Sequence, residues 1–156
     1  MLKWIQLKGC HVLFVTRLCT FLYMLIILVA ICNADPHAFL YEQVVSFNIN
    51  PTPAFTDLFL VEGIYVTSSF YLVQKIGHFS VFGLLYIFLL RSFNNVKTAL
   101  LVSITFAFVT EIAQLYFNRT GRLVDVAIDL IGIFLAYYLS KKLVGTPKLE
   151  KEELFS

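Results

Sequence analysis

The chain has 156 residues, 59% of them hydrophobic and only 14% charged, with a formal net charge of +2. A mean hydropathy of +0.81 excludes a soluble globular domain of this size. The length allows one membrane domain and no soluble one, and no nucleic-acid partner is expected.

A helix needs about 20 mostly apolar residues to cross the hydrocarbon of a bilayer. Four segments qualify, taken as 12–32, 71–90, 98–117 and 124–140. The first carries the three cysteines, Cys10, Cys19 and Cys32, in or beside it, with no CxxC pair, so neither a disulfide framework nor a zinc site is expected. Basic residues before it and small residues around Ala30–Ala34 also suit a signal peptide; its length and the lack of an A-x-A site favour a retained helix. The second span must begin near Tyr71 to be long enough, which draws Lys75 and His78 into the helix. The chain is thus read as an all-α integral membrane bundle of about four transmembrane helices.

Nine of the twelve Lys and Arg residues fall on one side of this arrangement: Lys3, Lys8, Arg17, Arg91, Lys97, Lys141, Lys142, Lys148 and Lys151. The opposite loop, 33–70, carries Asp35, Glu42, Asp57 and Glu62 and no Lys or Arg. The positive-inside rule then predicts cytoplasmic termini, an external loop and a cytoplasmic tail over 141–156, mobile from Lys148 onward. Prolines at 36, 51 and 53 break the loop. Its apolar segment Ala54–Tyr65 suits either a helix on the outer interface or a lid. Asn118-Arg119-Thr120 matches a glycosylation sequon, which matters only in a eukaryotic secretory route.

The remaining basic residues, Lys75, Arg119 and Arg122, lie with His78, Glu111, Gln114, Asp125 and Asp129 at the outer ends of spans two to four. Ionisable groups inside a membrane mark candidate functional sites because an unpaired one facing lipid is costly. Lys75 and His78 are spaced i,i+3 and share a face that Phe82 continues; Glu111 and Gln114 repeat that spacing, with Ala107 and Ser103 further along their face. Glu111 lies about 9 Å inside its helix end at 1.5 Å per residue. Asp125 and Asp129 are spaced i,i+4, and Gly132 and Ala136 extend their face with small side chains that allow close helix approach. The simplest packing joins these faces, with Arg119 and Arg122 folding from the connecting turn over the carboxylates.

This pattern, K-x-x-H, then E-x-x-Q, an Arg, and D-x-x-x-[ND]-x-x-G, resembles the VanZ-like family of bacterial membrane proteins over residues 12–140. It is carried by Lys75, His78, Glu111, Gln114, Arg119, Asp125, Asp129 and Gly132. The chain departs from the family at Thr110, where an acid is frequent, and at Ala113, where a His is. Phe117-Asn118 stands in place of a Pro-Gly turn, and Phe82 in place of a Tyr. The resemblance implies a role in the cell envelope, and its namesake's low-level teicoplanin resistance suggests lipoglycopeptide tolerance.

Four readings of the cluster stand beside one another. Ion pairs of Glu111 with Arg119 or Arg122, and of Asp129 with His78 or Lys75, would neutralise buried charge and set helix register; Lys75 alone would snorkel to the headgroups. A binding site would use Lys75, Arg119 and Arg122 on phosphate or carboxylate, and Glu111, Gln114, Asp125 and Asp129 on sugar hydroxyls or an amine. Its partners would be membrane lipids, a lipid-linked envelope precursor or a lipoglycopeptide. An enzyme would use His78 as general base or nucleophile. A metal on His78, Glu111, Asp125 and Asp129 fits only that last case; no compact ligand motif supports it and no cofactor is expected. A transporter fits least, because the charges sit at one end of the spans.

Overall fold

The computed structural model describes residues 2–60 and 69–144. It is all-helical, with no strand among the described residues: α1 Leu2–Cys32, α2 Pro36–Glu42, α3 Ser69–Phe93, α4 Val96–Tyr116 and α5 Leu123–Val144, with a 3-10 turn at Phe55–Phe59. Four of these helices, α1, α3, α4 and α5, are long and apolar enough to cross a membrane. The protein is a multi-pass membrane protein.

The helix ends are explained locally. Asp35 caps α2, its Oδ1 accepting from the N–H groups of His37 at 2.9 Å and Ala38 at 3.0 Å, with Pro36 in the first turn, where a missing N–H costs nothing. Asn94, at φ 50°, ends α3 in the left-handed region that Asn tolerates. Asn95 then caps α4 by accepting from the Thr98 N–H at 3.0 Å. Two adjacent asparagines therefore stop one span and start the next.

Helix α3 is central and packs against α1, α4 and α5. Phe82, Leu85, Tyr86 and Leu89 of α3 form the core with Ile27 and Ile31 of α1, Ala99, Phe106 and Ala107 of α4, and Val126 and Ile133 of α5. The closest approach is between α3 and α5. A Cβ on Gly83 would stand 3.0 Å from the Gly132 carbonyl oxygen, and one on Gly132 would overlap the Phe79 carbonyl oxygen. Only glycine allows this contact, and in lipid such close packing, rather than water exclusion, drives helix association. A buried hydroxyl pair, Thr20 with Ser92 at 2.6 Å, joins α1 to α3 near the other end of the bundle. Large side chains such as Phe14, Phe21, Ile26, Leu101, Ile131 and Tyr138 are exposed around the outside, as lipid contact requires.

The apolar spans within these helices are His11–Cys32, Ser69–Phe93, Val96–Tyr116 and Leu123–Leu143. Helix α1 runs on from its span to Leu2, and α5 continues through Lys141 and Lys142, the first residues of the expected tail, to Val144. The rest of that tail, 145–156, lies outside the described residues. The 33–70 loop contains α2, and within the apolar segment 54–65 only Phe55–Phe59 forms a helical turn; 61–65 lie outside the described residues. This connection docks on the bundle rather than standing away from it. The Asn50 N–H donates to the Tyr116 carbonyl at 2.7 Å, satisfying an orphan acceptor at the end of α4. Phe47 and Phe55 pack edge-on against Phe117 and Tyr116.

Candidate functional site

The helix ends beside this connection bring the polar faces of α3, α4 and α5 together. Lys75 of α3 pairs with Asp125 of α5, and Lys75 Nζ also lies 4.9 Å from the centre of the Tyr71 ring. One turn deeper, His78 Nδ1 lies 3.2 Å from Asp129 Oδ1, and its ring stacks on Phe82. Both pairs follow from i,i+3 spacing on α3 facing i,i+4 spacing on α5, which sets two rungs one helical turn apart.

Glu111 of α4 is 1% exposed, and each of its oxygens accepts one hydrogen bond. Gln114 Nε2 donates to its Oε1 at 3.0 Å, and the backbone N–H of Arg122 donates to its Oε2 at 2.7 Å. Asp129 is 0% exposed, yet its Oδ2 has no hydrogen-bond partner among the described residues. A buried polar atom left unpaired costs about 1–3 kcal/mol. His78, Glu111 and Asp129 each offer one ligand atom, and these atoms all lie within 4.8 Å of one another.

The two arginines do not fold over the carboxylates as the sequence suggested. Arg122 contributes its peptide N–H, while its side chain makes no hydrogen bond or ion pair among the described residues. Arg119 turns to α1 and donates from a terminal guanidinium nitrogen to the Asn33 carbonyl at 2.7 Å. Burial pushes the Arg119 pKa below its ordinary value, opposed by the nearby charges of Glu111, Asp125 and Asp35; arginine remains protonated in proteins regardless. The turn geometry explains the switch. Asn118 takes a positive φ of 54°, the role a Gly would fill, and the Arg119 N–H then closes on the Gln114 carbonyl at 3.0 Å. Gly121 follows, and a Cβ there would overlap the Glu111 carbonyl oxygen, so only glycine lets the turn bring the Arg122 N–H onto Glu111.

Asn33 was not singled out in the sequence. It is fully buried at the end of α1, donates from Nδ2 to the Val44 carbonyl at 3.1 Å, and accepts at Oδ1 from Asp35 N and from Ser46. A polar residue directly after a long apolar run was the available signal.

A cleft of about 280 Å³ opens beside the cluster between α1, α2 and α3. Ile27, Ile31, Phe39, Phe70, Val81 and Phe82 give it apolar walls, and Gln74, His78 and Arg119 give it a polar end. A second hollow of about 340 Å³ on the outer face of α1, lined by Leu22, Leu25, Ile26, Val29 and Phe39, is wholly apolar and is ordinary lipid-facing surface.

The sequence profile of the VanZ/LLP1 family matches residues 12–144. The chain is also 35% identical over 118 residues to the uncharacterized membrane protein YwnJ of Bacillus subtilis (strain 168), an alignment covering 75% of this chain and 84% of that protein. No solved structure matches it.

Proposed function

The chain belongs to the VanZ/LLP1 family of membrane proteins, and from that premise we propose that it binds an anionic, lipid-like envelope molecule in the cell membrane. The observation that carries this reading is the cleft, with apolar walls sized for a hydrocarbon chain and Arg119, His78 and Gln74 at one end. Arg119 commits one of its donors to Asn33, and no other described side chain accepts from it. The rest of its fork suits a phosphate or carboxylate. The ligand is a membrane lipid, a lipid-linked precursor or a lipoglycopeptide, and its capture gives low-level tolerance to teicoplanin-type antibiotics. The excess of Lys and Arg at the opposite end of the spans supports cytoplasmic termini and a cleft that faces outward.

The test is to express Arg119→Ala and Glu111→Gln beside wild type, and to measure membrane abundance and teicoplanin susceptibility together. Normal abundance with lost tolerance is the expected result. Tolerance unchanged in Arg119→Ala would refute the proposed ligand contact. Cysteines placed in 33–60 that label only from the cytoplasm would refute the orientation.

One set of contacts favours a second reading. Lys75–Asp125, His78–Asp129 and the two donors on Glu111 already satisfy most of the cluster, as a purely structural role in setting helix register requires. In that case the Glu111→Gln protein fails to accumulate.

A further inference from the structure

We propose that His78, Glu111 and Asp129 form a site for a divalent cation of the zinc type inside the helix bundle, an inference that goes beyond the ligand cleft and does not depend on it. The three residues come from α3, α4 and α5, and their ligand atoms lie within 4.8 Å of one another. Ligand atoms held tetrahedrally about 2.1 Å from an ion are about 3.4 Å apart, so side-chain shifts of about 1 Å close this set on one ion.

A second observation points to a cation. Asp129 is 0% exposed, and its Oδ2 is unpartnered among the described residues although Oδ1 meets His78. No lysine or arginine side chain pairs with Glu111 or Asp129 among the described residues; Lys75 pairs with Asp125, and Arg119 donates to the Asn33 carbonyl. That leaves two buried carboxylates with only an imidazole between them.

The surroundings suit ligation. Gln114 Nε2 and the Arg122 N–H hold the two oxygens of Glu111 from outside, the kind of support that orients ligating carboxylates. Each oxygen keeps a second lone pair for an ion. One imidazole nitrogen with two carboxylates fits Zn²⁺, Mn²⁺ or Fe²⁺, whereas Ca²⁺ takes six to eight oxygens and Mg²⁺ a near-ideal octahedron with several waters. Three protein ligands leave a position for water or a ligand group. The sequence offered His78, Glu111, Asp125 and Asp129 as a metal set without a compact ligand motif, because they lie on three helices; in the structure Asp125 is drawn away by Lys75.

The test uses the full-length, tag-free protein in detergent, stripped with chelator and titrated with ZnCl₂ by calorimetry, with CoCl₂ as a spectroscopic probe. We expect one equivalent of Zn²⁺ per chain and a cobalt spectrum of nitrogen and oxygen ligands without a thiolate charge-transfer band. Asp129→Asn and Glu111→Gln should abolish binding, and Gln114→Ala should weaken it about 10- to 100-fold. A double His11→Ala, His37→Ala variant should bind as wild type, both residues being exposed and distant in sequence from the cluster. No stoichiometric binding by wild type, binding that survives Asp129→Asn, or binding lost in the double variant would overturn the proposal. If Asp129→Asn does not insert, the wild-type cobalt spectrum decides, and thiolate bands would place the metal on cysteine instead.

Discussion

Removing the Asp125 carboxylate should destabilise the fold far more than removing the whole ion pair. Lys75 and Asp125 side chains are only 13% and 6% exposed, so the pair is largely withdrawn from solvent. Asp125→Ala leaves the ammonium without its partner, and breaking one half of a buried pair costs about 3–5 kcal/mol. The Tyr71 ring 4.9 Å from Nζ offers some compensation, as does the position of Lys75 near the start of α3. The lower end, about 3 kcal/mol, is therefore expected, equivalent to about 100-fold in the folding equilibrium. Replacing both residues, Lys75→Met with Asp125→Leu, exchanges two charges for apolar groups of similar volume and should fall within about 1 kcal/mol of wild type. Unfolding equilibria of the purified proteins in mixed detergent micelles, followed by helix signal and gel filtration, give both numbers. A loss below about 1 kcal/mol in Asp125→Ala, or a double variant no better than the single one, would refute the assignment of this pair as a buried, mutually dependent unit.

Other contacts give smaller and equally definite expectations. Gly132→Val drives a side chain into the Phe79 carbonyl and forces α3 and α5 apart. Its thermal midpoint should fall by what overpacking of about 1–3 kcal/mol implies, and Gly132→Ala should already show part of the loss. Asn33→Ala removes the anchor of Val44, Asp35 and Ser46 but leaves the main-chain acceptor of Arg119. Hydrogen exchange should accelerate over residues 34–50 while the α4–α5 turn keeps its protection. Ser92→Ala deletes the 2.6 Å contact with Thr20. A double-mutant cycle with Thr20→Val should give a coupling of about 0.6 kcal/mol, the usual size for a hydrogen bond between membrane helices.

The four spans were legible because a bilayer imposes a minimum apolar length, and the lysine and histidine of α3 had to enter the helix for that length to be reached. The shared faces of α3 and α5 were legible at spacings of three and four, and His78–Asp129 was one of the two pairings they offered for Asp129; the Lys75–Asp125 pair was not among them. What escaped was decided by backbone. Arg119 and Arg122 read as two cations over the carboxylates, but the turn through Asn118 and Gly121 sends one guanidinium to α1 and substitutes a peptide N–H for the other. Side-chain identity alone carries no record of that direction. Asn33 escaped for a related reason, since its partners Val44 and Ser46 lie in an irregular connection with no period to read.

That Glu111 is held by the peptide group of Arg122 rather than by its side chain has a consequence for mutational tolerance. In a saturation library, position 122 should accept nearly every amino acid, since each brings the same N–H, and reject proline, which brings none. Position 121, one residue earlier and without any polar group in its side chain, should accept almost nothing but glycine. A charged residue would then prove interchangeable beside an unreactive one that is not.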